Sequence, residues 1–318
     1  MESLWVMYLI IAQPLGLERP PEQISFSSFA RPHAGDQKVW LFNWARYVCS
    51  VAGKGYTAAM NHSLCMPTER LSCFACCPPI RPAGYDHLQD RGSWRRLFSE
   101  NRAAFLRGQL PERVQVGFSC PGLGFLDSSG SQVGCLLHPA RNQGRDLRGP
   151  TGYREKCARE SCPQFRAYAT LEQYQRAALI RLCTGMDLFS FSSRQENPLM
   201  RLLAFGPEVA AAAASLSLSN IDELSSWSWL RQADPSQGWL LARRLETAGP
   251  GLLQDSQLAE LLGARNADLA KRLGPAPPLE QGQLLNQLCN EWEARFWRAL
   301  SGRRRARRAE LDAWRSLV

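Results

Sequence analysis

Seven of the eleven cysteines of this 318-residue chain fall between residues 73 and 162, in a segment too rich in glycine to build a core unaided. They begin in Ser72-Cys73-Phe74-Ala75-Cys76-Cys77-Pro78-Pro79, continue at Cys120 and Cys135, and end at Cys157 and Cys162. Residues 121–156 hold seven glycines, with prolines at 121, 139 and 150. A chain of that kind loses conformational entropy that little apolar burial repays, so it needs a cross-link. The odd cysteine count rules out a fully paired disulfide framework unless one thiol is left over. Clustered thiols in a reducing compartment read as metal ligands instead.

The physical basis of the metal reading is bite. Thiolates two residues apart can fold back on one ion, as Cys73 and Cys76 would, with Cys77 serving the same centre or a neighbour. Pro78 and Pro79 forbid a continuing helix, which places these ligands on a turn. A structural zinc centre contributes on the order of 10 kcal/mol to folding. The candidate metal ligands are therefore Cys73, Cys76, Cys77, Cys120, Cys135, Cys157 and Cys162. His138 joins them through its position three residues after Cys135. Cys183 and Cys289 lie in helical patterns and read as buried core thiols. Zinc and an iron–sulfur cluster both accept four thiolates, so spacing does not separate them. A thioredoxin-like use of Cys73 and Cys76 lacks the preceding strand and following helix.

The string Cys73-x-x-Cys76-Cys77, then Cys120-x-x-Leu123, then Cys135-x-Leu137-His138-Pro139-x-Arg141, resembles a bacterial cysteine-cluster family described as zinc- or iron-chelating. The likeness covers roughly residues 70–150. Three departures stand out. No cysteine precedes Cys73 where the family has its first, His138 replaces an aromatic, and Gly144-Arg145 replaces Cys-Arg. Cys157 and Cys162 stand in for the missing thiols. Members are described as zinc or iron–sulfur proteins, and some relatives are linked to protein methylation. The resemblance implies metal chelation and leaves the reaction open.

No dinucleotide loop, Walker A loop, nucleophile elbow or His-Glu-x-x-His helix is present. Asp127, Asp146, Glu155 and Glu160 read as solvated loop carboxylates. Arginine outnumbers lysine 34 to 4 along the whole chain, so the net charge of +9 is weak evidence for an anionic partner. Most of that excess sits in residues 295–318, with 8 basic and 2 acidic side chains. The longest apolar run, Leu4 to Ala12, is nine residues and too short to span a bilayer. It lacks the basic flank and cleavage site of a signal peptide, which makes the cytoplasm the expected compartment.

Three regions follow. Residues 1–65 are an irregular, aromatic-rich extension, and Met66 reads as an alternative start. Residues 66–165 form the cysteine module. Residues 166–318 read as a helical domain of five to seven helices. Its signals are a capping box at Thr170-Leu171-Glu172-Gln173, a stop at Gly185, and starts at Asn197-Pro198, Gly206-Pro207 and Asp234-Pro235. The alanine-rich run 208–218 and a stripe of Leu285, Leu288, Trp292, Phe296 and Leu300 supply apolar faces. The tail Arg303 to Arg308, with Leu311, Trp314 and Leu317, reads as an amphipathic helix whose arginines face water.

The fold class expected is mainly α: a loop-rich, metal-stabilised cysteine module followed by a helical bundle. The function expected is metal binding, through zinc or an iron–sulfur cluster, in a structural or binding role. The alternative is an iron–sulfur redox or protein-modifying enzyme using the same cysteines. A binding role leaves room for a protein partner, while nucleic acid is not expected.

Overall fold

Among its described residues, the cysteine-bearing part of the chain centres on a long helix packed on a hairpin. In the computed structural model, the described residues are 63–75, 88–109, 120–152, 154–159, 162–273, 289–303 and 308–318. Helix α1 (Arg91–Leu106) starts where the Asp90 carboxylate accepts the Ser93 amide at 3.3 Å. Its apolar face presents Trp94 and Phe98, one turn apart and both buried. That face lies on strand β1 (Leu123–Phe125), where Asn101 donates to the Leu123 carbonyl at 2.8 Å. Strand β2 (Val133–Cys135) pairs antiparallel with β1, Leu123 opposite Cys135 and Phe125 opposite Val133. At the hairpin tip the Asp127 carboxylate accepts the Ser131 and Gln132 amides at 3.0 and 3.1 Å, which closes the loop.

Downstream come α2 (Arg154–Arg159), α3 (Pro163–Thr170), α4 (Gln173–Leu182), α5 (Leu188–Ser192), α6 (Pro198–Ala204) and α7 (Pro207–Ala214). They are followed by α8 (Ile221–Ser225), α9 (Trp229–Gln232), α10 (Gly238–Ala248), α11 (Leu258–Leu273), α12 (Glu291–Ser301) and α13 (Arg308–Arg315). The described residues are mainly helical, 60% helix and 4% strand. No helix among the described residues is long and apolar enough to cross a membrane.

Two hydrophobic clusters hold the fold. The smaller joins Phe74, Trp94, Phe98, Leu123, Phe125 and Val133 to Leu188 and Phe189 of α5. Phe74 meets Phe98 and Phe189 edge-on at 5.2 and 5.6 Å, an arrangement that adds to the area term. The larger cluster is the helical core, with Leu199, Leu202 and Leu203 of α6, Trp229 of α9, Leu241 of α10 and Trp297 of α12 fully buried. Phe191 enters this larger core while Phe189 enters the smaller, so α5 is a wall common to both. Residues His62–Val318 accordingly hold together as one unit. Leu64, 1% exposed, belongs to the helical core, so a chain beginning at Met66 would lack one of its core residues.

Several helix ends match the sequence signals. Asn197 caps α6 by accepting the Leu199 amide, and Asp234 caps a 3-10 turn at Pro235–Gln237 that runs into α10. Others move. Thr170 ends α3 instead of opening a helix, and the capping box belongs to Glu172 and Gln175. The alanine-rich helix stops at Ala214, not at 218. The helices are shorter and more numerous than the five to seven expected, several only five to eight residues long. Of the aromatic stripe, Trp292 and Phe296 are buried and Leu300 packs against the core, while Leu285 and Leu288 lie outside the described residues.

The C-terminal helix departs most from expectation. Leu311 and Trp314 pack on the core as the pattern indicates. Arg303, however, turns inward: its side chain is 10% exposed, pairs with Glu310 at 2.9 Å and lies over the Trp314 ring. Arg315 reaches back to the buried Glu293 at 2.6 Å. Arg308 faces water, and residues 304–307 lie outside the described residues.

Candidate metal centre

The open end of the hairpin carries two turns of the same construction. In the first, Cys120-Pro121-Gly122-Leu123, the Leu123 amide donates to the Cys120 carbonyl at 2.9 Å. The Cys120 sulfur accepts the Gly122 and Leu123 amides. In the second, Cys135-Leu136-Leu137-His138, the His138 amide donates to the Cys135 carbonyl at 3.3 Å and the Cys135 sulfur accepts the Leu137 amide. The pairing of Leu123 with Cys135 brings the two turns together, and the Leu136 amide bonds the Gly122 carbonyl at 2.8 Å. Gly122 is needed for this approach, because a Cβ there would sit 2.8 Å from the Leu137 side chain.

Cys157, on α2, interacts electrostatically with both Cys120 and Cys135. Arg148 faces Cys135 and Cys157. Its guanidinium is held by two bonds of 2.9 Å to the Asp146 carboxylate, which also binds Arg154 at the start of α2. These hydrogen bonds, with burial opposing them, hold the Asp146 carboxyl well below the usual carboxylate range. Asp146 thereby ties the loop after the hairpin to the helix that carries Cys157. Burial raises the Cys120 thiol and pushes Cys135 up to about 11, while the amide donors pull the other way. Amide groups aimed at sulfur are the environment in which a thiolate–metal bond replaces a proton.

The remaining candidates occupy different settings. Cys73 packs against the helical core, its sulfur accepting the Ala75 amide at 3.5 Å and its amide bound to the Cys65 carbonyl at 2.9 Å. Cys162 caps α3, its sulfur accepting the Phe165 amide at 3.3 Å. His138 is exposed, and its Nδ1 accepts the Ala140 amide at 3.2 Å, capping the 3-10 turn Pro139–Arg141. Cys76 and Cys77 lie outside the described residues. Among the described residues, no three His, Cys, Asp or Glu side chains stand in a geometry that would hold one metal ion.

No family model, curated protein or solved structure matches this chain.

Of the carboxylates read as solvated, Asp127 and Asp146 do structural work at the hairpin tip and on Arg148. Arg148 and its contact with the thiols went unread in the sequence, because one arginine among 34 carries no local signal. Cys183 is 1% exposed in the helical core, and burial pushes its thiol up to about 12. Cys289 is half-buried against the same core, with its thiol pushed up by burial to about 11.

Proposed function

We propose that the chain is a metal-binding protein whose centre starts from Cys120 and Cys135 at the end of the hairpin, with Cys157 among the further donors. The observation that carries this reading is the pair of matching cysteine turns at one end of a hairpin, each sulfur accepting backbone amides. A buried thiol with no task needs no amide donors, whereas a metal-bound thiolate is oriented and neutralised by them. Arg148 adds a positive charge beside an electron-rich sulfur cluster. Cys73, Cys76, Cys77, Cys157, Cys162 and His138 are the further donors from which the set is completed. Phe74 belongs to the aromatic cluster that Cys120 borders, and Cys76 follows it by two residues in the sequence.

The donor chemistry fits zinc or an iron–sulfur cluster. When bound, such a group supplies a cross-link between the hairpin, α2 and the preceding loop. The ligating thiols would lose their protons on binding, Arg148 would offset the charge, and Asp146 keeps Arg148 in place. The role is structural or binding, in a loop-rich module that metal stabilises against the helical part of the chain.

Metal analysis with a visible spectrum of anaerobically purified protein tests the proposal. Stoichiometric zinc with a colourless sample, or iron with a brown one, is expected, and Cys120→Ser and Cys135→Ser should lose it. Protein without stoichiometric zinc or iron, from cells supplied with both, would overturn it.

A further inference from the structure

A second site lies in the helical core and does not depend on the metal reading. Helix α7 is eight residues long and starts without a side-chain cap. Gly206 stands at its N-cap with φ 115° and offers no side-chain oxygen to the first-turn amides. Among the described residues, neither the Glu208 nor the Val209 amide donates to a protein acceptor. Gly206 and Val209 are both buried, and a buried helix end needs partners for such amides. The Glu208 side chain is exposed.

Trp292 of α12 is the independent observation. It is 9% exposed, and its indole nitrogen is buried with no hydrogen-bond partner. A buried indole normally finds an acceptor. That nitrogen lies at the start of α7, since a Cβ at Gly206 would stand 2.9 Å from it. One turn along α12, Arg295 is half-buried and donates to the Ala204 carbonyl at 3.1 Å, two residues before Gly206. Arg295 makes no ion pair among the described residues. Both acids that act on it are engaged elsewhere: Glu291 accepts from Arg166 at 2.7 Å, and Asp234 accepts the Ser236 amide at 2.8 Å. Arg166 and Arg298 add to the positive potential.

The corner between α6 and α7 thus gathers two amides at the positive end of a helix, an indole donor and a cation. A metal ion is repelled there, and an apolar group leaves every donor unmet. An anion satisfies them all, as it does at other helix N-termini with free amides. We infer that this corner binds a small monovalent anion, a halide or a carboxylate, held by the Glu208 and Val209 amides and the Trp292 indole, with Arg295 supplying the balancing charge.

Titration of the full chain with sodium chloride or sodium formate tests this, with ionic strength held constant by the bulkier methanesulfonate and the N–H signals followed by NMR. The Glu208 and Val209 amides and the Trp292 indole should shift together along one saturating curve, with a Kd in the millimolar range. Tighter chloride assigns the site to a halide, and tighter formate to a carboxylate. Trp292→Phe keeps a ring against Gly206 and removes the donor, so it should weaken the anion at least about tenfold, the effect of one hydrogen bond to a charged group. Arg295→Gln keeps a donor for the Ala204 carbonyl and should weaken it similarly. The titration of the parent decides even where a variant fails to fold. Shifts no larger with chloride or formate than with methanesulfonate would overturn the inference, as would an affinity unchanged in both variants.

Discussion

The Ser192 hydroxyl accepts the Phe74 amide at 3.1 Å and donates to the Ser72 carbonyl at 3.3 Å, while Ser72 in turn accepts the Val133 amide at 2.8 Å. Both serines are fully buried. This short chain of bonds straps the loop leading to Cys73 onto the hairpin on one side and onto α5 on the other. Ser192→Ala leaves the Phe74 amide without its acceptor and should cost about 1–3 kcal/mol. Phe74→Ala empties the centre of the aromatic cluster and should cost about 3–5 kcal/mol. Urea unfolding followed by circular dichroism measures both, and a larger loss in the serine variant would place the strap above the ring packing.

The cysteines should divide into two groups. Replacing Cys120 or Cys135 with alanine should release metal and loosen the hairpin segment, read as faster amide exchange across 120–152. Cys183→Ala should leave metal content unchanged and cost about 1–2 kcal/mol as a small cavity. In native protein at pH 8, Cys183 should resist iodoacetamide, because burial holds its thiol protonated up to about pH 12. Mass spectrometry of labelled peptides checks this directly.

Acid should weaken the fold through two aspartates. Burial alone would raise the Asp187 carboxyl, but the Ser190 hydroxyl, the Phe189 and Ser190 amides and Arg91 together hold it below its ordinary value. Asp146 is depressed by Arg148. A depressed carboxylate contributes stability that is complete above the unfolded value, about 3.9, and is lost as pH falls through the folded one. Urea midpoints should therefore drop below about pH 4, and less steeply in Asp187→Asn, which keeps the helix cap and removes the titration.

A Cβ at Gly238 would lie 1.8 Å from the Phe205 carbonyl oxygen, so α10 touches the end of α6 through bare backbone. Gly238→Ala should destabilise the helical core by about 3 kcal/mol or more, as overpacking with no flexible neighbour to yield. A thermal melt within error of the parent would show that the two helices can part at little cost.

Glu293 is nearly buried and is held by Arg315 and by the Trp297 indole at 3.3 Å. Arg315→Met leaves that charge unpaired and should cost about 3 kcal/mol, whereas Glu293→Gln paired with Arg315→Met should recover much of it. Deleting residues 302–318 should lower the melting temperature through loss of Leu311 and Trp314. Binding to RNA or DNA at near-physiological salt should be weak both before and after the deletion. Submicromolar binding that vanishes with the tail would reverse this reading.

Much of the helical part was legible because its signals are local. Asn197-Pro198 and Asp234-Pro235 act within one turn of chain, and the three-to-four-residue repeat of Trp292 and Phe296 states which face is buried. Where sequence reading slipped, at Thr170, the capping box lay two residues on, at Glu172 and Gln175. The thiol-rich character of the segment 73–162 was equally plain, because composition and glycine content need no partner to be read. Which thiols meet was not. Cys120 and Cys135 are brought to one end of the hairpin by a ladder whose strands are three residues long, and Asp146 with its two arginines ties in the helix that carries Cys157. The same holds for Arg303, whose inward turn depends on Glu310 and Trp314, and for Trp292, set against Gly206 from another helix. Local bonds and periodicity are written in neighbouring residues, so the sequence alone determined the helices and the inventory of thiols. Contacts across long loops depend on how elements pack, so only the tertiary structure decided which of those groups stand together.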